Sequence, residues 1–173
     1  ASSREEDFVE HLFVANTHSY ILFFTDKGKC YWVKVYDIPE GGRAAKGRAI
    51  VNLIGCEPDE KVSAFISVKE FNEDHYVVMA TERGMVKKTK LSAYSNPRKK
   101  GIYAVEIRDG DRLIEARVST GDNDILLGTR NGKSIRFSEE QIRASGRKTM
   151  GVKGITLRLS LIHISEPTRP TPI

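Results

Sequence analysis

The residues best suited to do chemistry in this chain are lysines and arginines gathered in three glycine-containing segments. We name these segments basic loops 1, 2 and 3, and they span residues 41–48, 95–101 and 142–151. Each holds three basic residues and no acidic one: Arg43, Lys46 and Arg48; Arg98, Lys99 and Lys100; and Arg143, Arg147 and Lys148. Lysine and arginine neutralise phosphate, and glycine lets the backbone approach it closely. The pattern therefore predicts three phosphate-binding loops.

A single basic run is most often a solvated surface that keeps a protein soluble. Three runs of the same sign at corresponding places favour binding, because together they form one positive track. Six further basic residues are expected to extend the track: Lys34, Lys87, Lys88, Lys90, Arg136 and Lys153. The sequence contains no recognition helix, zinc finger or aromatic RNA-binding box. We therefore expect sequence-tolerant binding to double-stranded DNA, with preferences set by DNA deformability.

Signals for catalysis or metal binding are weak. The spacing Gly42-x-x-x-x-Gly47 is not followed by the Lys and Ser or Thr of a nucleotide-binding loop. Asp109-Gly-Asp111 and Asp122-Asn-Asp124 fall where tight turns are required, which accounts for them without calcium. The four histidines show no ligand spacing, and neither cysteine has a basic partner arranged as a catalytic dyad. We expect no catalytic residue, metal or cofactor in this chain.

Composition excludes several classes of protein. The chain has 173 residues, is 39% hydrophobic and 29% charged, and carries a formal net charge of +5, which together indicate a basic globular domain. Its longest apolar run is five residues, far below the roughly 20 that span a bilayer, and its polar, acidic start is unlike a secretory signal. Two cysteines make no disulfide framework. A location in a reducing cytoplasm, away from membranes, fits best.

The elements that must position the loops repeat three times. Residues 20–28, 76–84 and 124–132 each read as an apolar strand, a Thr, two polar residues and a Gly. A second β-rich run follows each of them, at 29–36, 85–91 and 133–138. This is a hairpin pattern, and its glycine belongs where the backbone needs a positive φ. The three hairpin glycines, Gly28, Gly84 and Gly132, are 56 and then 48 residues apart.

The repeat continues beyond the hairpins. A second glycine follows 17 to 19 residues later, at Gly47, Gly101 and Gly151. Further β-rich runs come after these glycines, at 48–53, 102–107 and 152–157, and before each hairpin, at 10–16, 62–71 and 113–120. Four strands per unit of roughly 50 residues is typical of propeller blades. The sequence thus predicts an all-β, partial β-propeller with three blades of about four antiparallel strands each; one barrel or sandwich with similar hairpins is the alternative.

The blades are predicted at residues 9–54, 61–107 and 112–158. Residues 1–17 form the lead-in and the first outer strand, although Ser3 and Glu6 could instead cap a short helix. Residues 159–173 carry three prolines in the last seven positions, so they cannot form a central strand. They resemble translated sequencing-adapter sequence, or else a native Pro-rich linker. Three blades cannot close a ring, so we expect exposed strand edges and a marginally stable or self-associating chain.

Several strings resemble one known family. Val14-Ala15-Asn16-Thr17-His18, Tyr31-Trp32-x-Lys34-Val35-Tyr36 and Gly47-Arg48-Ala49-Ile50-Val51-Asn52-Leu53 look like one blade of the C-terminal domain of bacterial DNA gyrase, in its A subunit. Residues 76–119 and 124–157 look like the next two blades, so the resemblance covers about residues 4–158. It implies a β-pinwheel whose basic rim wraps DNA and supports ATP-dependent negative supercoiling. The corresponding subunit of topoisomerase IV shares this architecture and remains a close alternative.

The resemblance also implies what this chain lacks. The family's disc has about six blades, and the Gln-Arg-Arg-Gly-Gly-Lys-Gly heptapeptide of gyrase is missing; residues 42–47 are at best a degenerate form of it. The catalytic tyrosine belongs to the N-terminal region of the gyrase A subunit, whereas the ATPase, which uses ATP and magnesium, belongs to the gyrase B subunit. Both would be partners in the parent topoisomerase. Two other functions stay open: a propeller whose rim binds an acidic protein, and an enzyme with a site in a central channel, where the strands offer mostly apolar residues.

Overall fold

The computed structural model describes residues 12, 14–43, 45–157 and 162–163, and strands dominate them. The strands are β1 Tyr20–Thr25, β2 Lys29–Lys34, β3 Val62–Val68, β4 Tyr76–Thr81, β5 Met85–Lys90, β6 Ile102–Tyr103, β7 Leu113–Ser119, β8 Asp124–Gly128, β9 Ser134–Ser138, β10 Val152–Lys153, β11 Thr156–Leu157 and β12 Ile162–His163. The helices are α1 Val51–Ile54 and three 3-10 turns at Val35–Asp37, Leu91–Tyr94 and Glu139–Gln141. The predicted all-β class is confirmed.

The three predicted hairpins are present and share one turn chemistry. Gly28, Gly84 and Gly132 have φ of 78°, 83° and 78°, the left-handed region that only glycine enters without strain. In each turn the glycine N–H donates to the carbonyl of the threonine three residues earlier, at 2.9 to 3.0 Å. The hydroxyl of the same threonine accepts from the amide that follows the glycine, at 3.1 to 3.3 Å. The recurring Thr-x-x-Gly pattern thus encodes the turn directly.

Two four-stranded antiparallel sheets are built around the first two hairpins. We name them sheet 1, in the order β3-β1-β2-β6, and sheet 2, in the order β10-β5-β4-β7. In each, the hairpin lies in the middle and both edge strands come from later in the chain. The ranges 9–54, 61–107 and 112–158 therefore describe repeats of sequence and not separate sheets.

Long-range hydrogen bonds explain why an outer strand joins the preceding hairpin. The Asp26 amide donates to the Lys61 carbonyl at 2.8 Å, and the Lys61 amide donates to Asp26 Oδ1 at 2.9 Å. These bonds place the start of β3 beside the first turn, and β3 then pairs with β1 from Thr25↔Val62 to Tyr20↔Val68. The start of β7 is likewise held beside the second turn, where the Arg83 amide donates to Asp111 Oδ1 at 2.9 Å, and β7 then pairs with β4.

The strands expected after the second glycines are short or absent. β6 and β10 are two residues long. Each pairs with a hairpin one repeat earlier than its own: β6 pairs with β2 of the first hairpin, and β10 pairs with β5 of the second. Residues 48–53, expected to form the corresponding strand, instead contain a turn and α1, because no hairpin precedes β1 among the described residues. The first outer strand was expected at 10–16; Leu12 and residues 14–16 adopt no strand, and the other positions lie outside the described residues.

The third predicted blade also differs from expectation. Within the described residues, β8 pairs only with β9, because the strand that precedes this hairpin, β7, belongs to sheet 2. β11 pairs with β12, so residues 162–163 take part in a short two-stranded ladder that the sequence did not predict. Among the described residues, sheets of four strands are therefore confirmed for the first two hairpins.

The core lies between the two sheets. Leu22 and Phe24 of sheet 1 pack in one buried cluster with Val77, Met79 and Leu113 of sheet 2. The alternate residues of β1 are buried as well, because α1 and its neighbours cover the other face of sheet 1. Burial on both faces explains why β1 reads as a continuous apolar run.

Candidate nucleic-acid interface

The three basic loops occupy the same place in each repeat. Each follows the 3-10 turn that ends the second strand of a hairpin. Each also contains or ends at a glycine with positive φ: 71° at Gly47, 73° at Gly101 and 85° at Gly151. Eight of the nine predicted phosphate-binding side chains are exposed, and Arg147 is partly buried. The structure thus places basic side chains at corresponding positions of the three repeats, and phosphate binding by them stays a prediction.

Basic loop 2 crosses from sheet 2 to sheet 1, because it joins the 3-10 turn after β5 to β6. Its end is packed closely: a Cβ added at Gly101 would lie 2.7 Å from the ring of Tyr31. The Tyr31 hydroxyl donates to Glu60 Oε2 at 2.8 Å, and Lys29 Nζ lies 3.3 Å from Glu60 Oε1. A buried carboxylate therefore holds the ring against which the loop ends. Burial and the hydrogen bond to Glu60 raise the pKa of Tyr31.

Basic loop 3 is held at several points. The Ser145 amide donates to the Lys88 carbonyl at 2.9 Å, and the Thr149 carbonyl accepts from the Glu106 amide at 3.1 Å. Within the loop, the Ser145 and Thr149 hydroxyls are hydrogen-bonded at 2.8 Å. A Cβ added at Gly151 would collide with the Val86 carbonyl, which shows how closely the loop end lies on β5. This loop is preorganised before any ligand binds.

Lys87 and Lys88 do not extend the basic surface, and that expectation is wrong. Both side chains are buried, at 1% and 6% exposure. Lys87 contacts Ala104 and basic loop 3, whereas Lys88 contacts Gly121 and Glu139, which flank the third hairpin. Lys87 Nζ donates to the carbonyls of Ala104 and Arg147 at 2.7 and 2.5 Å. Desolvation, aided by the charge of Arg147, lowers the Lys87 pKa to about 8. Lys88 Nζ lies 3.6 Å from the buried Glu139 carboxylate.

The other four secondary candidates are exposed. Lys90 already pairs with Glu73 at 3.0 Å, and this hydrogen bond raises the Lys90 pKa. Arg136 lies 3.6 Å from Asp124. Lys34 lies at the end of β2, and Lys153 at the end of β10. Lys34 and Lys153 are therefore the better candidates to extend the basic surface.

The fold adds a basic residue that sequence reasoning missed. Arg108 lies outside the basic loops, but its Nε donates to the Met150 sulfur at 3.2 Å. The exposed Arg108 side chain thereby lines a surface cavity together with Arg143 of basic loop 3. Its proximity depends on the pairing of β10 with β5, which the repeat pattern does not reveal.

Two further observations concern other kinds of site. Within the described ranges, no helix has the length and apolar character needed to cross a membrane. In the same part of the chain, no three His, Cys, Asp or Glu side chains come close enough to hold a metal ion.

Comparison with known proteins gives consistent matches. The family model described as DNA gyrase C-terminal domain, beta-propeller, matches residues 19–69, 75–120 and 123–159. The first two matched segments begin just before a hairpin and end just after the outer strand that pairs with it. The DNA gyrase A subunit of Clostridium acetobutylicum is 49% identical over 88% of this chain and 18% of its own length. The DNA gyrase A subunit of Neisseria gonorrhoeae is 53% identical over 80% of this chain and 15% of its own length.

Solved structures agree with the sequence matches. The C-terminal domain of DNA topoisomerase IV superposes with a TM-score of 0.76 at 28% identity, covering 86% of this chain and 48% of that one. A DNA gyrase A C-terminal domain superposes with a TM-score of 0.70 at 21% identity, covering 87% of this chain and 48% of that one. The chain thus spans less than a fifth of the gyrase subunits it matches and about half of each solved domain. It belongs to the DNA gyrase C-terminal domain family, and its sheets form part of a β-propeller.

Proposed function

We propose that the three basic loops bind the phosphates of duplex DNA and bend the duplex along one edge of the sheets. The observation that carries this proposal is the recurrence of three basic residues at the same structural position in all three repeats, with eight of the nine side chains exposed. Exposed cations that recur at corresponding positions of a repeat suit a polyanion of regular charge spacing better than they suit a single small ligand.

The chemistry of the loops favours contact with the DNA backbone over base reading. They present Arg and Lys on irregular segments, and the one α-helix of the described residues, α1, is four residues long, which is too short to read a groove. Phosphate contacts position a duplex without specifying its sequence. Any preference would then come from how easily a given sequence bends around the surface.

The family relation supports a role within a larger enzyme. The matched relatives are named as DNA gyrase A subunits, so we propose that this chain serves as the DNA-wrapping region of a type IIA topoisomerase in the bacterial cytoplasm. Wrapping would support ATP-dependent negative supercoiling carried out by the N-terminal region of the same subunit together with the gyrase B subunit. Those partners would supply the catalytic tyrosine, the ATPase and its magnesium. Identities of 49% and 53% to gyrase subunits favour gyrase over topoisomerase IV.

A salt titration of duplex binding tests the proposal. If all nine loop residues contact phosphate, the logarithm of affinity falls against the logarithm of salt with a slope of about −8; if Arg147 stays in its protein contacts, the slope is about −7. Replacing Arg98, Lys99 and Lys100 by serine reduces the magnitude of the slope by about 2 to 3. A slope near zero for the unaltered chain refutes DNA binding by the loops.

A matched control separates local contact from overall charge. Serine substitutions at Lys61, Lys69 and Arg130 remove the same three positive charges from exposed positions outside the basic loops. We expect this control to bind DNA with nearly the original slope. Equal effects of the two triple variants would show that only net charge matters. Competition by an acidic peptide as strong as that by duplex DNA would favour the protein-interaction function instead.

A further inference from the structure

A buried cation connects two of the basic loops. Lys87 lies in the middle of β5, and its Nζ donates to Ala104 O at 2.7 Å and to Arg147 O at 2.5 Å. Ala104 follows β6 directly and lies three residues after the end of basic loop 2, whereas Arg147 is in basic loop 3. One ammonium group therefore joins the backbone leaving one loop to the backbone of the next.

Neighbouring contacts strengthen the same connection. Arg147 Nη1 donates to the Tyr103 carbonyl at 3.2 Å, and the Glu106 amide donates to the Thr149 carbonyl at 3.1 Å. The Tyr94 hydroxyl lies 3.4 Å from Ala104 O, the carbonyl that Lys87 also contacts. The segment after basic loop 2 is thus attached to basic loop 3 by the Lys87 ammonium group, by the Arg147 side chain and by one backbone bond.

Strand formation does not require a lysine at this position. Lys87 is the third residue after its hairpin glycine, and the corresponding residues in the other two hairpins are Tyr31 and Ile135, which are both buried and uncharged. Burying an ammonium group is costly unless its donors are satisfied. A buried lysine whose donors join basic loop 3 to the segment that leaves basic loop 2 indicates a positional role.

We propose that Lys87 is a positioning residue that fixes the distance between basic loops 2 and 3, and with it the path of a duplex bound to both. The inference rests on the proposed function, because a fixed spacing matters only for a ligand that contacts both loops. It also explains how binding avoids the entropic cost of ordering the two loops relative to each other.

Hydrogen exchange in the absence of DNA tests the positioning directly. In Lys87→Met, which keeps a long apolar side chain but removes the donor, we expect the amides of Ser145 and Glu106 to exchange at least about tenfold faster. The amides of β1 should keep their protection, which distinguishes loosening of the loop from general unfolding. Lys90→Met, a control on the same strand with an exposed side chain, should leave all of these rates unchanged. Unchanged protection of Ser145 and Glu106 in Lys87→Met overturns the proposal.

The DNA measurement then shows the consequence for binding. Although Lys87 Nζ is buried, we expect Lys87→Met to reduce the magnitude of the salt slope by about 2, because basic loop 3 no longer aligns with basic loop 2. Lys69→Met, which removes an exposed charge outside the basic loops, should change it by less than about 1. If the unaltered chain shows no salt-dependent binding, the proposed function fails while the exchange result still decides the positioning.

A pH series provides the answer if Lys87→Met does not fold. Burial lowers the Lys87 pKa to about 8 in the closed structure, whereas an opening that exposes Lys87 returns its pKa towards the ordinary lysine value. Raising the pH from 7 to 9.5 neutralises the buried lysine and therefore favours the closed structure. The charges acting on Lys87 are those of Arg147 and Glu106, while burial raises the pKa of Tyr94 and Cys30 and keeps both neutral. Protection factors at Ser145 and Glu106 should rise through about pH 8, because their opening exposes Lys87. Protection that stays constant across this range contradicts the proposal.

Discussion

Gly28→Ala should destabilise the protein far more than Gly132→Ala, although the two glycines occupy the same position in identical turns. Both have φ of 78°, so an added Cβ meets the same left-handed strain of about 1–2 kcal/mol at each. At Gly132 no described atom lies within 4 Å of that Cβ. At Gly28 it would collide with the carbonyl oxygen of Val105 and lie 2.9 Å from Ile107 Cγ1. The pair thus separates backbone strain from packing.

The extra cost at Gly28 follows from what the collision displaces. The Gly28 carbonyl accepts hydrogen bonds from the Ala104 and Val105 amides at 2.8 and 3.2 Å, each worth about 1 kcal/mol. Val105 is 1% exposed, and losing part of its burial costs about a further 1 kcal/mol. We therefore expect Gly28→Ala to lose about 3 kcal/mol more than Gly132→Ala.

Urea denaturation measures this difference. With a dependence of about 2 kcal/mol per molar urea, the midpoint of Gly28→Ala should lie about 1.5 M below that of Gly132→Ala. Circular dichroism at both ends of the titration should show that the two variants begin from the same strand content. Equal midpoints would refute the reasoning, because they would mean that the segment after β6 contributes nothing at the first turn.

Two further predictions concern buried charges. Lys88→Met should cost about 3–5 kcal/mol, because it leaves the buried Glu139 carboxylate unpaired, whereas the double variant with Glu139→Leu should recover most of that loss. Thermal unfolding of the single and double variants checks this, and additive losses would contradict it. Tyr31→Phe should cost about 1–2 kcal/mol by removing the bond to Glu60, a carboxylate that is 3% exposed. Leaving the melting temperature unaltered would show that this bond does not stabilise the fold.

Local chemistry made the hairpins predictable. The Thr-x-x-Gly pattern supplies both the left-handed glycine and the threonine hydroxyl that the turn uses, so each turn could be identified from four adjacent residues. The partner of each outer strand could not be identified in this way. Val62–Val68 has the same alternating pattern whether it pairs with the hairpin before it or with the hairpin after it. The choice depends on bonds between Asp26 and Lys61, which are 35 residues apart.

The site was predictable to the same extent. The basic loops are recognisable because small residues and positive charge coincide, and most of their side chains are exposed as expected. Lys87 and Lys88 look identical to surface lysines in the sequence, because nothing local records that segments later in the chain cover them. Arg108 was missed for the opposite reason, since its neighbour Met150 lies 42 residues away and reaches it only through the fold.

The pairing of each hairpin with later strands makes neighbouring sheets interdependent. Sheet 1 uses strands from residue 20 to residue 103, and sheet 2 uses strands from residue 76 to residue 153. Residues 76–103 fall within both intervals, so no single cut of the chain yields two intact sheets. Deleting residues 76–153 to remove sheet 2 would also remove β6 and leave β2 as an unpaired edge, which is a template for association with other chains. Adjacent repeats are therefore interlocked: they cannot be deleted or exchanged singly, and we expect them to unfold together.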